Sequence, residues 1–335
     1  MTQHENRTEH GNGQGKKLRV AIIGASGIGR NHARWFAGHG CEVVAFAGSS
    51  PESVSSTRLA LQSAIGFSGR GFADVAQMLR EEKPDAVCVS SPPHLHFQHV
   101  MESLESGAHV LCEKPLVGAD SWSGLTADEL VESAWKMVAE ATRRELVFGT
   151  QMQYATCVPQ LLELCDLQSV DEIVTFSMTM ETKNLKHGRT FDDVWLDLSP
   201  HPLSVLRRLF PAAELDWTSK HCEVREHDSE ASFHLKNGAQ TINVHLHVAL
   251  NPERAVPKRT FQINGAAVDY SARNNERGEF RAYLQSEDRV LELPDFVNAL
   301  VGNFVRAAGG EEALWVSGED GAQVVEWQLK LLGHR

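Results

Sequence analysis

One short stretch limits the architecture more than any other. The apolar run Val20-Ala-Ile-Ile23 leads straight into Gly24-Ala-Ser-Gly-Ile-Gly29, and then into the helix-spaced residues Ala33, Trp35 and Phe36. A buried strand, a tight turn and a helix start, in that order, open a βαβ unit. The N–H groups of such a helix end, reinforced by its dipole, form a seat for a pyrophosphate, and glycines let the backbone come close. The usual G-x-G-x-x-G spacing reads here Gly24-x-Ser26-x-x-Gly29, with Gly27 and Ile28 between. The same string also fits an ordinary strand-to-helix turn, and only residues further along the chain can decide between the two.

Downstream, strand and helix signals alternate. Strands are expected at Val20–Ile23, Val43–Ala47, Ala86–Val89, Val110–Cys112 and Leu146–Phe148, with helices over Ile28–Ala37, Val54–Ala64, Phe72–Leu79, Phe97–Leu104 and Ala127–Thr142. That alternation predicts a doubly wound parallel sheet over residues 17–150. Residues 1–16 are polar and aperiodic and read as a disordered tail. After a helix-like stretch, Cys157–Leu167, the period changes to two at Glu172–Thr182, Ser232–Leu235, Thr241–Val248, Thr260–Ile263 and Phe280–Leu284. Asn237-Gly238 and Asn264-Gly265 are hairpin signals. Helices are expected at Ser199–Leu209, Pro294–Ala307 and Gly318–Leu332. The fold class is therefore α/β, with residues 151–335 forming an α+β domain around a mainly antiparallel open sheet.

The 335 residues carry a formal net charge of -12. That balance argues against a nucleic-acid backbone or an anionic membrane as the main partner, and still allows a local basic patch around a phosphate site. No apolar run is long enough to span a bilayer, and the first residues lack a signal core. Six scattered cysteines without a C-x-x-C pair point to reduced thiols in a cytoplasmic protein.

Two further strings carry chemistry. Glu113-Lys114-Pro115 closes the strand after His109. In an open parallel sheet, ligands lie beyond the carboxyl ends of the strands, so Lys114 projects into the crevice unless it merely ends a strand at the surface. Pro115 fixes the backbone behind it, in cis or trans. The loop Ser90-Ser91-Pro92-Pro93-His94-Leu95-His96 follows the preceding strand and lines the same crevice. In Asp197-Leu-Ser-Pro-His201, Ser199 is the candidate N-cap and Pro200 the first helical residue. His201 then lies in the first turn, where the dipole disfavours its charged form and leaves a proton acceptor. Asp197 either orients that imidazole or binds a substrate hydroxyl. Local capping and core packing would explain either residue singly.

Taken together, the chain resembles the glucose–fructose oxidoreductase/inositol dehydrogenase (Gfo/Idh/MocA) family. The motifs occur in the family's order: the glycine turn with trailing His32, Pro92-Pro93-His-x-His96, Glu113-Lys114-Pro115, Asp197-x-x-x-His201, and Ser317-Gly-Glu-Asp-Gly321. The resemblance implies a Rossmann domain with Gly24, Ser26, Gly27, Ile28, Gly29, Ser91, Pro92, Pro93, His96, Glu113 and Lys114 at the cofactor. It also implies a sugar, cyclitol or polyol substrate, a catalytic trio of Lys114, Asp197 and His201, and a homodimer or homotetramer formed through the open sheet. Imine reduction, redox-assisted glycoside cleavage and non-catalytic dinucleotide sensing are alternatives on the same scaffold. Where the family has an Arg-Phe/Tyr pair, this chain has Gln153-Tyr154, and Asp192-Asp193-Val194-Trp195 replaces a glycine-rich lead. Gln153, Tyr154 and Trp195 are therefore candidates for the substrate pocket.

An acid ending the second strand would bind the ribose of NAD. Here Ala47-Gly48-Ser49-Ser50 stands at that place, with Arg58 one to two turns on and Arg30 as another cation. Gly48, Ser49, Ser50 and Arg58 favour NADP, with NAD as the alternative. No metal site is expected; His245 and His247 share a strand face without a third ligand at fixed spacing.

Overall fold

A computed structural model of the chain describes residues 17–118, 125–183, 192–253 and 256–333. The tail read over residues 1–16 lies outside the described residues. So do the side chains of Asp192 and Asp193.

The first sheet is parallel: β1 (Arg19–Ile23), β2 (Glu42–Ala47), β3 (Arg70–Phe72), β4 (Ala86–Val89), β5 (His109–Glu113) and β6 (Phe148–Gln151). The order is β3-β2-β1-β4-β5-β6, so the chain reverses direction between β1 and β4. Helices α1 (Ile28–Gly38), α2 (Pro51–Ile65), α3 (Val75–Glu82), α4 (His96–Glu105) and α5 (Ala127–Arg143) connect the strands. The inner strands read as continuous apolar runs because helices cover both faces; Val20, Ala21, Ile22, Ala86, Val87, Cys88 and Val89 are all fully buried.

Helix α6 (Val158–Leu164), strand β7 (Thr175–Thr182) and helices α7 (Asp192–Leu198) and α8 (Pro200–Leu209) come next. Strands β8 (Glu214–Val224), β9 (Asp228–Asn237), β10 (Gln240–Leu250), β11 (Lys258–Ile263), β12 (Ala266–Asn274), β13 (Phe280–Gln285) and β14 (Val290–Pro294) complete a sheet ordered β14-β13-β12-β11-β7-β10-β9-β8. Only the β7–β10 pairing is parallel among the pairs described; the other neighbours run antiparallel. The period of two is visible directly: Phe176, Met178 and Met180 of β7 and Ile242, Val244, Leu246 and Val248 of β10 face a common core.

The last two helices, α9 (Phe296–Ala308) and α10 (Gly318–Leu331), return to the first sheet. Val301 and Phe304 of α9 join the core of Val20, Ile22 and Phe36, and the Phe36 and Phe304 rings meet edge-on with centroids 6.0 Å apart. Ala322, Val325 and Leu329 of α10 pack into the core on the α5 side. The Ser317 motif has its cause here. Ser317 and Asp320 form a reciprocal capping box. A Cβ at Gly318 would lie 2.1 Å from the Phe148 ring, so only glycine lets this helix start sit against β6.

Candidate functional site

The glycine turn sits at the carboxyl end of β1. Gly24 has φ 81°, and a Cβ there would meet the Ser90 carbonyl oxygen at 2.7 Å. A Cβ at Gly29 would meet the Gly24 oxygen at 2.2 Å. Both positions therefore require glycine, one for its backbone angle and both for close approach. Ser26, Gly27 and Ile28 are exposed, and no side chain caps the start of α1. Ile28 leaves 41% of its surface open at this mouth. Open helix-end N–H groups without an acidic side chain in the first turn fit an anionic dinucleotide.

Two loops beside the turn are tied together by His96. Its ring is buried, with Nδ1 2.9 Å from the Pro115 carbonyl oxygen and Nε2 2.8 Å from that of Ser91. His96, expected at the cofactor, instead braces the Ser91-Pro92-Pro93 loop against the Lys114-Pro115 loop, and burial holds its pKa below the ordinary histidine value. Glu113 is likewise engaged: His32 Nε2 donates to its carboxylate at 2.6 Å. Burial opposes the charge on His32, but Cys88 and Glu113 overcome it and raise its pKa to about 10. A buried imidazolium–carboxylate couple thus fixes the strand end from which the next residue projects. That residue is Lys114, followed by a cis bond to Pro115.

Lys114 Nζ donates to Asp197 Oδ1 at 2.7 Å and to the Asp197 backbone oxygen at 3.0 Å. Asp197 lies in the last turn of α7, not in a loop before a helix. Ser199 is itself helical, at φ -64° and ψ -24°, and makes no side-chain cap because α7 runs almost directly into α8. Its hydroxyl accepts from Gln328 instead, at 2.9 Å. His201 is in the first turn of α8, 8% exposed, with Nδ1 buried and unpartnered. Its pKa is pushed well below the ordinary value, first by burial and then by the Lys114 charge; Asp197 opposes this and Arg259 adds to it. The neutral imidazole expected from the helix dipole therefore has stronger causes.

Tyr154 forms the wall behind His201. The two rings meet edge-on with centroids 5.0 Å apart, and Tyr154 also packs on Phe261, Tyr270 and Phe296. Burial, set against the nearby Arg259 charge and the adjoining Gln153, pushes its phenol up to about 12. Gln153 is half-buried beside it. Trp195 is not brought to this site. It is fully buried in the core, and its indole N–H donates to the Gln328 carbonyl at 3.0 Å. Arg259 of β11 escapes sequence reasoning, although it alternates with Phe261 and Ile263 on what that spacing makes the core-facing side.

At the end of β2 the expected phosphate seat is partly self-occupied. Gly48 N donates to Phe72 O at 2.9 Å, and Ser50 forms a capping box with Ser53. Ser49 is exposed. Arg58 is turned to the Gly69 carbonyl, 3.1 Å away, and is not brought to Ser49. On the outer face of the second sheet, Asp228, Glu230 and His247 converge, but Arg225 pairs with Asp228 at 2.6 Å and Glu230 at 3.4 Å. His245 instead meets the Ser232 hydroxyl, at 3.0 Å.

A parallel sheet whose strand order reverses beside a glycine turn, with an open helix end beyond it, is the architecture of a Rossmann dinucleotide-binding fold. Residues 18–149 match the family model described as oxidoreductase family, NAD-binding Rossmann fold (GFO_IDH_MocA). A D-glucoside 3-dehydrogenase of Escherichia coli K12 is 39% identical over 100 residues, 29% of this chain and 27% of that protein. Across the first curated relatives, the aligned stretch spans between 27% and 57% of the relative's length. Over nearly the whole chain the likeness is one of fold. The UDP-N-acetylglucosamine 3-dehydrogenase of Acidithiobacillus ferrooxidans superposes with a TM-score of 0.69 at 18% identity, covering 94% of this chain and 97% of that one. The scyllo-inositol dehydrogenase of Lactobacillus casei, solved with NAD(H) and scyllo-inositol, gives 0.68 at 16% identity, covering 95% and 96%. No helix among the described residues is long and apolar enough to cross a membrane.

Proposed function

We propose that this protein is a nicotinamide-dependent oxidoreductase acting on a secondary alcohol or ketone of a sugar, cyclitol or related polyol. The observation that carries the reading is the meeting of two halves of the chain: Lys114, from the end of β5, reaches Asp197 at 2.7 Å, beside the neutral His201 of α8. A proton acceptor next to a fixed cation is what a carbinol needs in order to lose its proton while the alkoxide charge is held. His201 takes up or returns the hydroxyl proton. Lys114 polarises the oxygen, and Asp197 keeps the Lys114 amine in place. When bound, the nicotinamide supplies the hydride chemistry, and the protein supplies position and field.

Gly24, Ser26, Gly27, Ile28 and Gly29 would hold the pyrophosphate, while Ser91, Pro92, Pro93 and Lys114 line the nicotinamide side. NADP is favoured, with NAD as the alternative. The support is the absence of an acid at Ala47-Gly48-Ser49, where a carboxylate would repel a 2′-phosphate. Assembly as a homodimer or homotetramer through the outer face of the second sheet, and a cytoplasmic setting consistent with six free cysteines, belong to the same proposal. The test is to titrate NADPH and NADH against protein fluorescence, and then follow reduced-nicotinamide absorbance across sugars and cyclitols. Turnover with tighter NADPH binding is expected. Binding without turnover on any substrate would favour a dinucleotide sensor.

A further inference from the structure

The inner face of the second sheet is apolar along β7 and β10, and along β11 at Phe261 and Ile263. Arg259 interrupts it. In register it stands opposite Met180, which is buried, so its side chain belongs to the same inward face as Phe261. Its Nε is buried without a hydrogen-bond partner. Its charge acts on Tyr154, His201 and Tyr270, which places the guanidinium at the back of the site described above.

A guanidinium cannot shed its proton, so placing one in an apolar layer requires compensation. The nearby carboxylates are already engaged. Asp197 accepts from Lys114, Glu113 accepts from His32, and Asp295, whose charge reaches Tyr270, caps α9 by accepting from Asn298 N at 2.9 Å. Among the described residues, no carboxylate forms an ion pair with Arg259. Lys114 and Asp197 pair with each other, so the Arg259 guanidinium is a cation on the His201 side of the site without an ion-pair partner among the described residues.

We infer that the substrate is a sugar or polyol bearing an anionic group, a carboxylate or a phosphate, and that Arg259 is the residue that positions it. This rests on the oxidoreductase reading above and deepens it by naming the substrate class. Charge-assisted and bidentate hydrogen bonds make arginine suited to either oxyanion.

The test is calorimetric titration of the cofactor-loaded protein with D-glucuronate, D-glucose 6-phosphate and D-glucose, which share one ring and differ in charge. At least one anion should bind about 10-fold or more tighter than glucose, and which one it is separates carboxylate from phosphate. Arg259→Met should weaken that anion by about 10- to 100-fold and leave glucose nearly unchanged, whereas Arg259→Lys should retain part of the preference. Glucose bound by the wild type as tightly as both anions would overturn the inference. So would an Arg259→Met variant that weakens all three alike, since that marks a role confined to holding Tyr154. The wild-type comparison stands even if a variant fails to fold. A wild-type protein whose fluorescence responds to neither NADPH nor NADH would instead refute the oxidoreductase reading, and this inference with it.

Discussion

Two buried histidines, His32 and His201, are driven to opposite states. His32 carries its charge, with a pKa raised to about 10, while His201 is neutral, with a pKa well below the ordinary value. Burial pushes both toward neutrality, so burial is not the difference. The neighbours are. His32 lies beside Cys88 and faces the Glu113 carboxylate at 2.6 Å, and both favour its charge. His201 faces the Lys114 ammonium and Arg259, and the Asp197 carboxylate, which favours its charge, is held by Lys114. One histidine is thus made part of the scaffold that aims Lys114, and the other is kept ready to accept a proton.

The contrast can be broken from either side. Lys114→Met removes both the cation proposed to act at the substrate oxygen and a charge that suppresses protonation of His201. We expect turnover to fall by about 10³-fold while cofactor binding persists, measured by steady-state kinetics and fluorescence titration. Retained turnover would place the oxyanion stabiliser elsewhere. His201→Ala should lower turnover by about 10²-fold or more, again with the cofactor still bound. On the other side, His32→Leu leaves Glu113 without its buried partner. A loss of about 3 kcal/mol in unfolding free energy is expected from denaturant titration. An unchanged midpoint would mean that the couple is dispensable.

The same contrast appears in the pH dependence of stability. Because the folded pKa of His32 is raised, its contribution is full below about 6.5 and is lost as pH climbs toward about 10. The folded pKa of His201 is depressed, so the unfolded chain gains protons there first, and stability falls as pH drops below 6.5. The alkaline loss should disappear in His32→Leu and the acid loss should shrink in His201→Ala, both readable from thermal midpoints across the pH range.

Much of this candidate site was legible in the sequence because its parts lie at strand ends and at a helix junction marked by local signals. The glycine turn, Glu113-Lys114-Pro115 and Asp197-x-x-x-His201 each combine chemistry with a glycine or proline punctuating the chain. What lay hidden depends on contacts distant in sequence. The pairing of His32 with Glu113 spans 81 positions. The burial of Trp195 depends on α10, and the engagement of Arg58 with Gly69 depends on how α2 lies against the approach to β3. Missed strands had a different cause. β3, β8 and β14 are edge strands with a single neighbour, and their alternation is weak because one side meets little core, while β12 is an inner strand in which only Val268 is fully buried, so its period of two is faint. Tertiary placement, not local pattern, also explains Arg259, whose alternation with Phe261 and Ile263 was visible but acquires meaning only once Tyr154 and His201 lie opposite.

The central claim, that the lysine and the buried imidazole share one site and set each other's state, has a direct measurement: NMR titration of the histidine ring signals in wild type and Lys114→Met. The account predicts that His201 stays neutral down through pH 6.5 in the wild type and titrates at a higher pH once the ammonium is removed, while His32 keeps its proton to about 10 in both. A His201 signal that titrates near 6.5 in the wild type and does not move in Lys114→Met would contradict it.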